Sequence, residues 1–449
     1  MNIKLYRSAT IGINISGKKI LCDPWLVDGE YFGSWSHYPY YDLEANLSEI
    51  NSYDAIYVSH IHPDHCSEKT MKKINKKIPV YIHNYHSKFL KFKIERMGFK
   101  VIELMNGKKN EIFKNVNLNI YAADNCNPEL CYKFLGCADM RAKDQSQQID
   151  TIAVFDDGKN TLVNLNDCPY ELVKSTFKDI NKNYEKIDIL MTGYGGAGPY
   201  PQCFENLNVN EKVIHAKNKE KQFLNYALKF VDALKPRYFL PFAGTYTLTG
   251  KLSNLQNLRG VPDVHDAYDF FDTYFDQLNN IETKSIKLNP GSSFDLSAKE
   301  CDQKYIKSNI DEYKNYISQI LSKKLLDYES IDIPKSEEIF ELAKRAHKNF
   351  LEKKILNKIK YDEDIYIKFN SHSVKINNKN YIDLIKNDEI NKKSKYIIFE
   401  LDSRLLKWLL NGPKYAHWNN AEIGSHIKYF RKPNTYSRNL HANMCYFHI

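Results

Sequence analysis

With 449 residues, the chain is long enough to bury two hydrophobic cores. A content of 43% hydrophobic and 27% charged residues excludes a disordered or fibrous protein. The net charge of +9, from 64 basic against 55 acidic residues, is scattered in pairs such as Lys18-Lys19, Lys72-Lys73 and Lys323-Lys324, which argues against a nucleic-acid-binding stripe. No window approaches the run of about 18 apolar residues that a membrane span requires. The opening residues 1–7 show no leader-like apolar region, and the nine cysteines form no tight framework. Reduced thiols and a cytoplasmic location are therefore expected.

In chain order, residues 10–15 and 19–22 read as a hairpin turning at Ser16-Gly17. Residues 55–59 form a short apolar strand that runs straight into His60. Further strands are predicted over 78–82, 101–104, 116–121, 151–155 and 161–165, with polar helical stretches over 67–76 and 86–97. A strand at 187–191, an amphipathic helix over 220–234 and a strand at 238–241 follow, and the region closes near 286–296. Strands mixed with helices throughout predict a layered α/β domain over residues 1–298. Residues 303–358 have helical spacing interrupted at Pro334; strands at 365–369, 373–376 and 396–401 and a helix at 403–410 come next. Residues 299–449 therefore read as a helical arm and a small α+β module.

The strongest local signal is His60-Ile61-His62-Pro63-Asp64-His65, placed where a strand gives way to a helix. Two histidines two apart can reach one metal ion from a turn, and the Asp and His that follow can reach a second. Imidazole nitrogen with carboxylate oxygen suits zinc, iron or manganese. Asp167, in Leu165-Asn166-Asp167-Cys168-Pro169 after the 161–165 strand, is a further candidate oxygen donor. Cys126, Cys131, Cys137 and Cys168 lack C-x-x-C spacing and read as buried thiols or loop packing rather than a zinc knuckle.

The H-x-H-x-D-H pattern resembles the metallo-β-lactamase superfamily. That resemblance implies an αββα sandwich with one or two divalent metal ions, zinc or iron, at the sheet edges. It assigns His60 and His62 to the first ion, Asp64 and His65 to the second, and Asp167 as the bridge. Cys22-Asp23-Pro24-Trp25-Leu26, the 59–66 motif and Asn166-Asp167-Cys168 further resemble the non-Rieske portion of the CMP-N-acetylneuraminate hydroxylase family. Gly195-Gly196-Ala197-Gly198, Phe223-Leu224-Asn225-Tyr226, Lys235-Pro236-Arg237, Pro241-Phe242-Ala243-Gly244 and Asn289-Pro290-Gly291 fall in the same order as similar segments there. The resemblance covers about residues 20–296. It implies hydroxylation of a sugar nucleotide fed by electrons from a Rieske cluster.

Two departures qualify the transfer. No C-x-H occurs to match the lone C-x-x-H at Cys445 to His448, so electrons would come from a separate electron-donor protein. No His lies between His86 and His215, where the superfamily normally supplies one before the bridging Asp. Asp124 or Asp150 is expected to substitute an oxygen there. For substrate binding, Gly195 and Gly196 would let backbone amides approach a phosphate or carboxylate. The last 35 residues hold His417, His426, His441 and His448. This polar tail is expected to cap the site, with His426 lining it and Arg404 or Arg431 clamping an anion.

Two mechanisms compete on this scaffold. In the hydrolytic one, favoured here, a metal-activated water attacks while Asp64 or Asp167 orients it and takes its proton. In the oxidative one, the same ligands hold iron that activates dioxygen. The substrate in either case is a small molecule of sugar or nucleotide-sugar type. A third reading, a non-catalytic glycan-binding protein, is disfavoured by the intact motif, whose ligands would be lost early in a decayed site.

Overall fold

The computed structural model describes residues 1–127, 129–130, 149–277 and 282–449. Two mixed sheets face each other. The first is built in the order Glu300–Cys301, Ser293–Asp295, Asn2–Arg7, Thr10–Ile15, Lys18–Cys22, Ala55–Tyr57, Val80–His83 and Val101–Leu104. The second runs Lys284–Ser285, Tyr238–Phe242, Ile189–Gly193, Thr161–Asn164, Thr151–Asp156, Val116–Ala122 and Lys109–Phe113. Between them lies one apolar layer, with Ile11, Ile13, Ile20 and Tyr57 from one sheet against Leu118, Phe155, Leu162 and Met191 from the other.

Each outer face is covered by helices, because strands buried on both faces must be apolar throughout. Leu43–Ile50 and Phe89–Arg96 pack on the first sheet through Leu43, Ile50, Leu90 and Ile94. Tyr170–Asn183, Val209–Leu234 and Val264–Gln277 pack on the second through Val173, Phe177, Leu228, Val231 and Phe271. The result is the αββα sandwich.

The topology decides where chemistry can sit. Lys18–Cys22, Ala55–Tyr57, Val80–His83 and Val101–Leu104 run parallel in the first sheet. Thr161–Asn164, Ile189–Gly193 and Tyr238–Phe242 do so in the second. Parallel neighbours end at the same edge, so the loops after them converge there.

The remaining chain forms its own core around a five-stranded sheet ordered Ile382–Lys386, His372–Ile376, Asp364–Phe369, Tyr396–Glu400, Lys428–Lys432. Helices Ser336–Leu356 and Ser403–Leu410 cover it through Ile339, Phe350, Leu405 and Leu409. The first sheet takes in Glu300–Cys301, just past the boundary expected at residue 298. The C-terminal module docks on the loop after the strand Ile189–Gly193: Tyr429 donates its N–H to Cys203 O at 2.8 Å and accepts one from Glu205 N at 2.8 Å.

Candidate metal centre

The strand Ala55–Tyr57 ends beside Lys18–Cys22, and the Asp23 N–H donates to Tyr57 O at 2.9 Å. Asp23, buried and held at a left-handed φ of 47°, therefore lies next to the turn that begins at Ser59. Its Oδ1 accepts the Ser59 N–H at 2.7 Å and its Oδ2 the Ser59 hydroxyl at 2.7 Å. The same Oδ2 lies 2.8 Å from His65 Nδ1, and Ser59 Oγ is 2.9 Å from His60 Nδ1. Both imidazoles thus have Nδ1 engaged, which leaves Nε2 for another partner. The Ser59 carbonyl is fixed in turn by the Tyr85 hydroxyl at 2.5 Å and the Thr151 hydroxyl at 2.8 Å.

The free donor atoms converge. His60 Nε2 is 3.0 Å from His62 Nδ1. His65 Nε2 is 3.3 Å from Asp167 Oδ2 and 3.6 Å from Asp64 Oδ2. Donor atoms of His60, His65 and Asp167 all lie within 4.8 Å of one another. His60 Nε2 also lies 3.8 Å from Asp150 Oδ1, at the start of the strand Thr151–Asp156. Asp167 arrives from the second sheet through a turn whose Asn166 holds a φ of 48° and donates its side-chain amide to Thr151 O at 3.1 Å. Asparagine tolerates that left-handed conformation better than most residues.

Charge in the cluster is unbalanced. Burial, reinforced by His65 and His62, holds the His60 imidazole well below its usual range, and burial pushes His62 down to about 4. Both are neutral at pH 7, with lone pairs to give. Burial also disfavours a charged His65, but Asp167, Asp64 and Asp23 outweigh it and draw a proton to this ring. Burial and the neighbouring Asp167 push the Asp150 carboxyl well up. Crowded carboxylates are stabilised in their charged form by a nearby cation. Nitrogen and oxygen donors in this mixture fit zinc, iron or manganese, so the residues present suit a divalent ion. The centre opens to solvent at one side, where the Asp167 side chain is 40% exposed; His60 and His65 on the other side are buried.

The structure brings His60, His62, Asp64, His65 and Asp167 together. Asp124 is buried just after the strand Val116–Ala122 and accepts the Cys126 N–H at 3.0 Å. Its charge acts on Asp150, the other aspartate considered for the missing histidine, which lies beside His60. Gly195 and Gly196 follow Gly193, where an added Cβ would lie 3.9 Å from Asp167 Oδ1. A Cβ on Gly195 would sit 3.0 Å from Val261, and one on Gly196 would overlap the Phe223 ring at 2.0 Å, so their small size serves close packing. Arg404 is engaged by Asp402 through two bonds of 2.9 and 2.8 Å and donates to Glu329 O at 3.0 Å. Arg431 lies over the Phe204 ring at 4.4 Å and donates to Asn434 at 2.9 Å. His426 does not line the cluster but lies one residue behind it, bonded to the Tyr31 carbonyl at 2.7 Å. Cys168 is buried and Cys126 half-buried; Cys131 and Cys137 lie outside the described residues.

Three supporting residues were given no role by the sequence: Asp23 and Ser59, which fall in the 22–26 and 59–66 segments, and Tyr31, whose hydroxyl donates to Asp64 Oδ1 at 2.5 Å. For Asp23 a clue existed. A strand ending in Cys-Asp-Pro beside one ending in Ser-His puts a carboxylate and an imidazole on one sheet edge.

A metal-binding edge on an αββα sandwich is the design of one large class of metalloenzymes. The family described as beta-lactamase superfamily domain matches residues 2–243, more than half of the sequence, and the chain belongs to this superfamily. Among curated proteins, cytidine monophosphate-N-acetylneuraminic acid hydroxylase of Danio rerio is 26% identical over 250 residues, covering 53% of this chain and 37% of that protein. The inactive human counterpart (Homo sapiens) is 25% identical over 249 residues, covering 53% of this chain and 44% of that protein. The match thus spans less than half the length of these relatives. Among solved structures, isothiocyanate hydrolase from Delia radicum gut bacteria aligns with a TM-score of 0.43 at 17% identity, over 66% of this chain and 98% of that one. A metallo hydrolase from Ignicoccus hospitalis aligns with a TM-score of 0.38 at 13% identity, over 66% and 98%.

Proposed function

We propose that this centre hydrolyses a small-molecule substrate of sugar or nucleotide-sugar type with a metal-activated water. The observation that carries the reading is a convergent set of imidazoles and carboxylates, open to water at Asp167. One or two divalent ions held by His60, His62, Asp64, His65 and Asp167 would polarise the scissile group and bring the pKa of a water toward about 7. Asp167, at the mouth, orients the attacking water and takes its proton. Asp64 is buried deeper, with one oxygen held by Tyr31, and serves chiefly to hold the ion. The buried thiols Cys22, Cys66, Cys168 and Cys203 agree with action in the cytoplasm, and no described helix is long and apolar enough to cross a membrane.

The test is a panel of ester, lactone, amide and phosphodiester substrates offered to protein loaded separately with zinc and iron. Turnover that is lost in Asp167→Asn supports hydrolysis. A loaded enzyme that is silent on every bond type sinks it.

Asp150 favours a second reading. Its carboxylate beside His60 makes the donor set richer in oxygen, which suits iron, and two histidines with a carboxylate are a recurring non-haem iron arrangement. With the hydroxylase relatives, this supports a monooxygenase of a sugar nucleotide that takes dioxygen and two electrons from a separate electron-donor protein. Substrate-dependent oxygen consumption with a reductase, by iron-loaded protein only, would select this reading over hydrolysis.

A further inference from the structure

The loop over residues 28–36 carries Tyr31, and it is built against its own backbone preferences. Gly29 and Gly33 have φ of 93° and 89°, as glycine allows, but Tyr31 and Phe32 between them also sit at 50° and 58°. A Cβ-bearing residue adopts this left-handed conformation only when its surroundings impose it. Here the surroundings come largely from the C-terminal module. The Asp327 N–H donates to Phe32 O at 3.0 Å. Lys324 Nζ donates to Asp28 Oδ2 at 3.1 Å. Gly33 packs so closely on Leu326 and Asp327 that a Cβ would lie 3.0 Å from the Asp327 nitrogen.

The key bond is from His426. Its Nε2 lies 2.7 Å from the Tyr31 carbonyl, which can only accept, so Nε2 carries the proton. Nδ1 then accepts from the Tyr328 hydroxyl at 3.1 Å, and the tautomer is locked from both ends. The Tyr31 ring is buried against Trp35 at 4.5 Å, and Trp35 stacks on Tyr246 at 3.6 Å. With backbone and ring both fixed, the phenol has one direction left, toward Asp64 Oδ1. Asp64 Oδ2 is thereby presented to the side of His65 Nε2.

We propose that Tyr31 is a positioning residue that aims one oxygen of Asp64 into the metal centre, and that the C-terminal module, through His426 and residues 324–327, holds Tyr31 in the conformation that does so. On this account the module completes the shell of the centre. The inference rests on the metal-centre reading above but not on the choice between hydrolysis and hydroxylation.

The test uses the full chain, loaded with cobalt(II) for its visible spectrum and with zinc for competition against a chelator. Tyr31→Phe removes only the hydroxyl. It is expected to weaken one of the bound ions by about 10- to 100-fold and to shift the cobalt bands, with the thermal unfolding midpoint of the metal-free protein little changed. His426→Ala should act in the same direction, and His426→Gln, whose amide can still donate to the Tyr31 carbonyl, should recover most of the loss. Wild-type affinity and an unshifted spectrum in both Tyr31→Phe and His426→Ala would overturn the proposal while leaving the centre itself intact. Absence of any bound ion in the wild-type chain would overturn both.

Discussion

At the residue scale, the centre is organised by which atom of each ligand is already spoken for. Asp23 and Ser59 engage Nδ1 of His65 and His60, and Tyr31 takes one oxygen of Asp64. The atoms left over face a common point. Asp150→Asn, beside His60, is expected to lower ion affinity about 10-fold or more; isothermal titration of zinc into the metal-free protein reads it. Asp167→Asn should weaken the ion shared with His65 more than the ion held by His60 and His62, giving two distinct affinities in chelator competition. A single unchanged affinity would remove Asp167 from the bridge. The linear part of this centre was legible because its ligands lie on one turn, His60 to His65. The roles of Asp23 and Tyr31 were not, because parallel strands and a left-handed loop bring them in, and His426 reaches Tyr31 across 395 residues of sequence.

At the scale of elements, the hydrophobic runs at 10–15, 101–104, 116–121 and 151–155 mark strands close to those observed. The turn at Ser16-Gly17 has φ of 49° and 77°, as a two-residue hairpin requires. Other elements were hidden for physical reasons. Lys109–Phe113 is a polar edge strand, and charge on an edge protects against pairing with other chains while erasing the apolar pattern. Asn2–Arg7 is held between Thr10–Ile15 and Ser293–Asp295, the latter nearly the length of the domain away. The helix expected over 220–234 begins instead at Val209, behind a capping box of Asn208 and Glu211 and a strongly charged first half. Close packing between loops gives a further prediction. A Cβ on Gly244 would lie 2.5 Å from the buried Tyr194 ring, in the loop that follows the strand Ile189–Gly193. Gly244→Ala should therefore destabilise the fold by about 1–3 kcal/mol, read as a lowered urea midpoint with unchanged slope. No shift would mean that Tyr194 has room to move.

At the scale of the whole molecule, the sandwich and the C-terminal module act as one structure, because loop 28–36 is gripped from both sides. Their combined burial of neutral histidines sets a pH limit. Burial pushes His37, His83 and His426 each down to about 4, against roughly 6.5 for an unfolded histidine. Between those values the unfolded chain binds more protons than the folded one, so stability falls as pH drops from about 6.5 to 4 and is fully present above that window. Each ring contributes on the order of 3 kcal/mol to this slope. Urea midpoints at pH 7.5 and pH 5 should show a marked loss at the lower value. His83→Phe should reduce the difference, since neither ring nitrogen of His83 has a hydrogen-bond partner among the described residues.

The account stands or falls on a metal held by the His60-to-His65 turn. The most direct measurement is elemental analysis of wild-type and His62→Ala protein, expressed with iron and zinc both supplied and purified without chelators. The account predicts one or two ions per wild-type chain and loss of most of that metal in His62→Ala. Zinc would point to the hydrolytic chemistry and iron to the oxidative. A wild-type chain with no metal, or a His62→Ala chain with as much as the wild type, would contradict it.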